Sequence, residues 1–397
     1  MNKEQKVDDI LSRGIIKEIL PDKNKFREAL LGNKQLRFYI GADATGSSLH
    51  LSHAKNFMLL EEFRQLGHKV FVLFGDLTAC IGDPSDRDSA RSKLTRDKAR
   101  QFAEDWVEQI KPIINFEDEN NPAEVVFNST WFDKFSTTEL LELFSTATVQ
   151  QMLERDMFEK RMKENKPIFL HEFLYPMFQG YDSVALDVDV ELCGTDQIFN
   201  ALSGRDLLKR FKRKEKFVVA VNLMENPKTG ELMSKTNGTG VFLGTGATNM
   251  FGQIMALPDE MIEIVLVNNT RLSKQSIADL EIEKDPRNAK IFSATEIVST
   301  FYGQEEAQKA KQAFIETFSK GTFPKNAPVI SPSAEKLPLL QLISECDSSL
   351  SKSEIRRLIK QNAVSINGDK CSDEHQIIDS TIKLEIKIGK QRFFQTK

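Results

Sequence analysis

The chain has 397 residues, is 40% apolar and 28% charged, and carries a formal net charge of −4. That length exceeds one ordinary core and predicts two or three domains. The composition is that of a globular protein, no apolar run approaches a membrane span, and a net acidic chain could bind nucleic acid only through local basic surfaces.

The opening, MNKEQKVDDILSRG, is charged and lacks a signal-peptide core, so a cytoplasmic protein is expected. Residues 36–42 (LRFYIGA) read as a buried strand. Residues 50–66 place Leu51, Phe57, Leu59, Leu60, Phe63 and Leu66 at helical spacing, with Gly67 as the stop. KVFVLFG at 69–75 reads as a second buried strand, Gly82-Asp83-Pro84-Ser85 as a turn, 95–111 as a charged helix and VVF at 125–127 as a third strand. Strands alternating with helices predict an α/β fold with a doubly wound parallel sheet, in which ligands bind beyond the carboxyl ends of the strands. Tyr39, Asp43, Gly75 and Asp83 stand at or just past such ends.

Further on, 137–180 is mostly helical in pattern, VDVELCG at 188–194 is a strand followed by a helix opening near Thr195 or Asp196, and 216–224 is another strand. Residues 247–320 are helical in periodicity, and the proline-spaced stretch 321–336 reads as a linker. The tail, 337–397, reads as a compact unit: two helices, the second N-capped by Ser351 with Glu354 as reciprocal partner, then strands around an Asn-Gly turn. The cysteines Cys80, Cys193, Cys346 and Cys371 show no CxxC pairing, so neither a zinc site nor a disulfide framework is expected; Cys80 and Cys193 read as buried, inert thiols.

Four clusters carry chemistry. In HLSH, His50 and His53 are spaced i, i+3 at a helix start, where two imidazoles and free N–H groups suit a polyphosphate; as half of a metal site the pair lacks further ligands nearby, and alone it reads as two surface histidines. In ELMSKTNGTG, Lys235 and Thr236 sit in a loop with Gly230, Gly238 and Gly240 and could reach phosphate oxygens, although a lysine in such a loop is ordinarily just exposed. It is not a Walker A spacing. In FLYPMFQGYDSVAL, Tyr175, Gln179 and Asp182 fall on one helix face, and their apolar flanks argue against full exposure. CGTDQIFN at 193–200 lies at a strand-to-helix switch, a common nucleoside position. RDLLKRFKRKEK at 205–216 is the basic segment, which alone reads as a solvated helix face.

In order and spacing these segments resemble the bacterial tyrosyl-tRNA synthetases, from SRGII near the start to residue 243 and again in the tail, which resembles an S4-type RNA-binding domain. The resemblance implies a Rossmann-like catalytic domain of the HUP type at 1–245 with a helical, dimer-forming insertion at about 130–180, a helical anticodon-side domain at 246–320, the linker, and a small α+β S4-type domain at 337–397. It implies activation of L-tyrosine by ATP with Mg2+, transfer to tRNA(Tyr), and a homodimer. By the same resemblance, YIGADAT holds the amino acid and includes Asp43. Tyr39 and Asp182 would bind the substrate phenol, Asp83, Tyr175 and Gln179 its ammonium group, and Gln197 would lie by its carboxylate. Thr45, His50 and His53 would contact phosphates, Gly194 and Asp196 the ribose, and MSKT, with Lys235 and Thr236, would form the tail of the KMSKS motif. Arg356, Arg357 and Lys360 on one tail helix, with segment 205–216, are expected to contact tRNA.

Three positions depart from the family pattern. Ser52 stands where glycine is usual, Leu232 where the first KMSKS lysine stands, with Lys228 as a substitute in the same loop, and Glu191 where some relatives carry glutamine. Two alternatives remain open: the tryptophanyl relative, disfavoured by Tyr39 with Asp182, and a catalytically degenerate paralogue acting as an RNA-binding protein, supported only by Leu232 and Ser52.

Overall fold

Apolar, β-rich runs frame the first of two units in the computed structural model, Met1–Ser47 with Ser52–Leu223. The structure describes residues 1–83, 94–233, 240–320, 323–324, 327–389 and 392–396. In chain order this unit holds α1 (Lys3–Ser12), β1 (Ile16–Leu20), α2 (Lys23–Leu31), β2 (Arg37–Ala42), α3 (Leu51–Gln65), β3 (Lys69–Phe74) and the short α4 (Thr78–Ile81). There follow α5 (Arg96–Ile110), β4 (Glu124–Phe127), α6 (Ser129–Phe132), α7 (Thr137–Phe144), α8 (Val149–Leu153), α9 (Asp156–Lys163) and α10 (Leu170–Ala185). β5 (Val190–Gly194) leads through a 3-10 turn (Thr195–Gln197) into α11 (Ile198–Lys212), and β6 (Phe217–Val221) closes the series.

The strand order is β1-β6-β5-β2-β3-β4. β2 to β6 run parallel, and the order reverses between β2 and β5, where a doubly wound sheet opens its ligand crevice. β1 pairs antiparallel with β6, so the sheet is parallel with one antiparallel edge that the sequence reading lacked. IKEIL keeps only one buried residue in its five, the pattern of an edge rather than a central strand.

α10 and α11 cross closely. A Cβ on Gly180 would lie 2.8 Å from Leu207 Cδ1 and 3.2 Å from the Gly204 nitrogen, so both glycines are needed for the approach. Cys193 is buried, whereas Cys80 is only half-buried, a correction to the sequence reading; it sits on α4, one turn at the rim of the strand ends. Among the described residues no helix is long and apolar enough to cross a membrane.

The second unit comprises Ser48–Leu51 and Met224–Lys397. Its helices are α12 (Ala247–Ala256), α13 (Ile262–Asn269), α14 (Lys274–Ala278), α15 (Pro286–Tyr302) and α16 (Gln304–Lys320). The tail adds β7 (Val329–Ile330), β8 (Lys336–Pro338), α17 (Leu339–Cys346), α18 (Lys352–Lys360), β9 (Val364–Ile366), β10 (Asp369–Cys371), β11 (Ile377–Asp379), β12 (Glu385–Ile388) and β13 (Arg392–Thr396). Leu342, Ile343, Ile355, Ile359 and Ile386 make its own core. Ser351 and Glu354 form the reciprocal cap of α18, and Asn367 and Gly368 take φ values of 51° and 90° in the β9–β10 turn, the left-handed pair that such a hairpin requires.

Within the stretch 321–336, read from the sequence as a linker, Val329–Ile330 pairs in parallel with β13 and is the edge of a five-stranded sheet ordered β10-β9-β12-β13-β7. The preceding Pro328 contributes its carbonyl, which accepts from the Gln395 N–H at 2.9 Å. Proline is tolerated there because an edge position needs no N–H from it.

Candidate active site

At the end of β2, Asp43 uses both carboxylate oxygens. Oδ1 accepts from Thr78 Oγ1 at 2.7 Å and Oδ2 from the Tyr175 hydroxyl at 3.0 Å. Gly75, at the end of β3, makes this possible: a Cβ there would stand 2.0 Å from Thr78 Oγ1 and 2.1 Å from Asp43 Oδ1. Loss of water around the carboxylate pushes its pKa up to about 7, against the opposing hydrogen bonds from Thr78 and Tyr175.

On α10, Tyr175 and Asp182 are buried and Gln179 is half-buried. Asp182 accepts from Trp131 Nε1 at 3.0 Å, and burial holds its pKa well above the usual carboxylate range. Tyr39 on β2 is buried, and its hydroxyl is 2.9 Å from Ser183 Oγ. Burial, then the Glu191 carboxylate, raise the Tyr39 pKa, and Asp182 is near enough to add to that shift. The Tyr39 hydroxyl thus reaches α10 at Ser183, the residue after Asp182. Gln179 Oε1 is buried and has no hydrogen-bond partner among the described residues, an arrangement that costs free energy unless a ligand donates to it.

At the last residue of β5, glycine is required at Gly194 by Asp196, since a Cβ would lie 2.3 Å from Asp196 Oδ1. Gln197 Nε2 donates to Asp83 Oδ2 at 3.1 Å, and Gln197 Oε1 accepts from Asn200 Nδ2 at 2.7 Å. Asn200 Oδ1 in turn accepts from Arg155 Nη2 at 3.0 Å. Arg155 and Asn200 were not found by sequence reasoning. Both are buried polar groups, and nothing in MLERDMF or in the helix after Gln197 signals that they meet.

Thr45 is exposed. His53 lies on α3 with its ring centroid 5.8 Å from that of Trp106. His50 precedes α3 instead of opening it, which corrects the expectation of two imidazoles in one first turn. It bridges antiparallel to Phe242, flanked by the bonds Leu51 N–H to Val241 O at 3.0 Å and Leu243 N–H to Leu49 O at 2.9 Å. These extended backbone bonds hold it out of the helix. Lys235 and Thr236 lie outside the described residues. Among the described residues no group of three or more His, Cys, Asp or Glu side chains could hold a metal ion.

Residues 31–319 match the family model for class I tRNA synthetases (W and Y), and residues 319–395 match the model for a tyrosine–tRNA ligase SYY-like C-terminal domain. The tyrosine–tRNA ligase of Aquifex aeolicus is 36% identical over 386 residues, covering 97% of each chain. That of Nitrosomonas europaea is 38% identical over 377 residues, covering 93% of this chain and 91% of its own. The chain belongs to the tyrosine–tRNA ligase family. Solved structures agree in fold. A C-terminally truncated mitochondrial tyrosyl-tRNA synthetase from Aspergillus nidulans superposes with a TM-score of 0.66 at 22% identity, covering 79% of this chain and 94% of that one. The Archaeoglobus fulgidus tyrosyl-tRNA synthetase complexed with L-tyrosine gives 0.59 at 17%, covering 78% and 100%.

Within a tyrosine–tRNA ligase, the departures noted in the sequence acquire surroundings. Leu232 is exposed and bridges to Glu225. Lys228 is ion-paired with Glu260. Glu191 is buried against Lys216, which corrects the placing of Lys216 in a basic surface segment: a lysine whose charge is met by a carboxylate can sit in the core. Elsewhere in that segment Arg205 and Lys209 share Glu215 at 2.8 and 3.0 Å, while Arg210, Lys212 and Arg213 are exposed. On α18, Arg357 and Lys360 are exposed and Arg356 pairs with Glu374 at 2.6 Å.

Proposed function

We infer that this chain activates L-tyrosine with ATP and passes the tyrosyl group to the 3′ end of tRNA(Tyr). In the first step a tyrosine carboxylate oxygen bonds to the α-phosphorus of ATP, and the bond to the bridging oxygen of pyrophosphate breaks. In the second, a terminal adenosine hydroxyl takes the acyl group and AMP leaves. The attacking group is already an anion, so no side-chain nucleophile is needed, and rate comes from alignment and from donors that meet developing charge.

The observation that carries this reading is the burial of both Tyr39 and Asp182, with the Tyr39 hydroxyl 2.9 Å from Ser183 Oγ on the residue that follows Asp182. A phenol placed there would add a hydrogen bond to each, beyond those they already make with Ser183 and Trp131, whereas phenylalanine would exclude water and supply neither. Asp83, Tyr175 and Gln179 then hold the ammonium group, with Asp43 orienting Tyr175, and Gln197 lies beside the carboxylate. Gly194 and Asp196 take the ribose. Thr45, His50, His53, Lys235 and Thr236 serve the phosphates of ATP, which enters as its Mg2+ complex. Residues 1–245 would carry this chemistry and 246–320 the anticodon side. The tail 337–397 would bind RNA through Arg356, Arg357 and Lys360, joined by the exposed Arg210, Lys212 and Arg213.

Large apolar side chains are exposed at Leu141, Val149, Met162, Phe169 and Leu170. Such a group on α7 to α10 supports a homodimer formed through residues 130–180, working in the cytoplasm. ATP–pyrophosphate exchange with tyrosine, phenylalanine and tryptophan compared tests the assignment. Exchange supported by tyrosine alone is expected. Preference for tryptophan, or no exchange with any of the three, overturns it.

A further inference from the structure

We propose that Lys216, Ser183 and Tyr39 form a one-directional hydrogen-bond relay that makes Tyr39 a donor toward the substrate phenol oxygen. The proposal rests on the reading that Tyr39 and Asp182 meet that phenol.

Lys216 is 1% exposed. Its ammonium donates to Ser183 Oγ at 2.6 Å and to the Glu191 carboxylate, and lies 5.6 Å from the centroid of the Tyr39 ring. An ammonium has donors only, so Ser183 oxygen must accept from it. The single Ser183 proton then has two acceptors within reach, the Tyr39 oxygen at 2.9 Å and Glu191 Oε2 at 3.4 Å. The shorter contact is the stronger one, and Glu191 already has the lysine charge. Ser183 therefore donates to Tyr39. With one lone pair of Tyr39 so occupied, its own proton is turned away from Ser183 and left for the phenol that Tyr39 shares with Asp182 in the proposed function.

A substrate phenol between them would accept from Tyr39 and donate to Asp182. The series runs from a cation to a carboxylate, each bond polarising the next. Reversed, Tyr39 and Asp182 would both need the one phenol proton. The fold leaves room for the arrangement: a Cβ on Gly204 would stand 2.7 Å from Lys216 Nζ and 2.9 Å from Ser183 Oγ. Ser183 and Lys216 are thus positioning residues that act through Tyr39.

The test is kcat/KM in ATP–pyrophosphate exchange for tyrosine and for phenylalanine, measured on the full chain as wild type, Tyr39→Phe, Ser183→Ala and the double variant. Tyr39→Phe is expected to lower the tyrosine-to-phenylalanine ratio about tenfold, as for one lost hydrogen bond. Ser183→Ala is expected to lower it about fivefold, mainly through KM for tyrosine, and the double variant no further than Tyr39→Phe alone. An unchanged ratio in Tyr39→Phe overturns the underlying assignment of the phenol site. A lowered ratio there, with Ser183→Ala reducing both substrates equally or adding fully to Tyr39→Phe, overturns the relay. If Ser183→Ala does not fold, Ser183→Cys fills the same space with a weak donor: an intermediate ratio supports the relay and a wild-type ratio overturns it.

Discussion

Asp43 and Tyr175 share a 3.0 Å hydrogen bond that ties the end of β2 to the middle of α10. The bond fixes the Tyr175 ring, and its loss leaves Asp43 with Thr78 as its remaining side-chain hydroxyl donor among the described contacts. Tyr175→Phe should raise KM for tyrosine about ten- to a hundredfold in pyrophosphate exchange, the range for a hydrogen bond to a charged group. KM for ATP should change much less. An equal rise in both constants would contradict a role at the amino-acid end.

The same carboxyl group sets a pH dependence. Its pKa is about 7 in the folded chain against 3.8 for the ordinary side chain. Between those values the unfolded chain ionises while the folded one keeps its proton, so this group lowers stability as pH rises from 3.8 to about 7 and adds no further change above. Asp43→Asn removes the effect. Urea midpoints of the variant, relative to wild type, should therefore move in the variant's favour across that window, and a pH-independent difference would rule it out.

Gly194→Ala would press a methyl group onto Asp196 Oδ1, where the present spacing allows a Cβ only 2.3 Å. Asp196 must turn away. KM for ATP should rise about tenfold, as for one displaced hydrogen bond, with KM for tyrosine nearly unchanged. The reverse pattern would remove Asp196 from the nucleotide side.

Replacing Arg356, Arg357 and Lys360 together by alanine should weaken tRNA charging and leave tyrosine-dependent exchange intact. If all three meet phosphates, the slope of log affinity against log salt should become shallower by about 2, from roughly 0.7 per contact. An unaltered slope would take α18 out of the RNA interface.

Much of the sheet is legible in the chain, because β2, β3, β5 and β6 are short apolar runs between turn signals, and runs of that kind are buried on both faces. The α18 cap and the Asn-Gly hairpin are equally legible, being local. β1 is not: Lys17 and Glu18 are exposed, and its place depends on pairing with β6, some 200 residues away. The site divides along the same line. Tyr175, Gln179 and Asp182 declare themselves by helical spacing, and Asp43 by its strand end. The contacts of Glu191 with Lys216, Trp131 with Asp182 and Arg155 with Asn200 do not, because each joins elements whose approach only the packed fold decides. Lys216 was hidden further by the basic run around it.

The parallel pairing of Val329–Ile330 with β13 means that the C-terminal sheet borrows its last rung from upstream of the module it completes. A fragment cut at residue 337 would strip that rung and leave the flank of β13, with its row of backbone donors and acceptors, open to stitching onto another molecule. Any excised version of this module meant to stay monomeric has to start before Pro328.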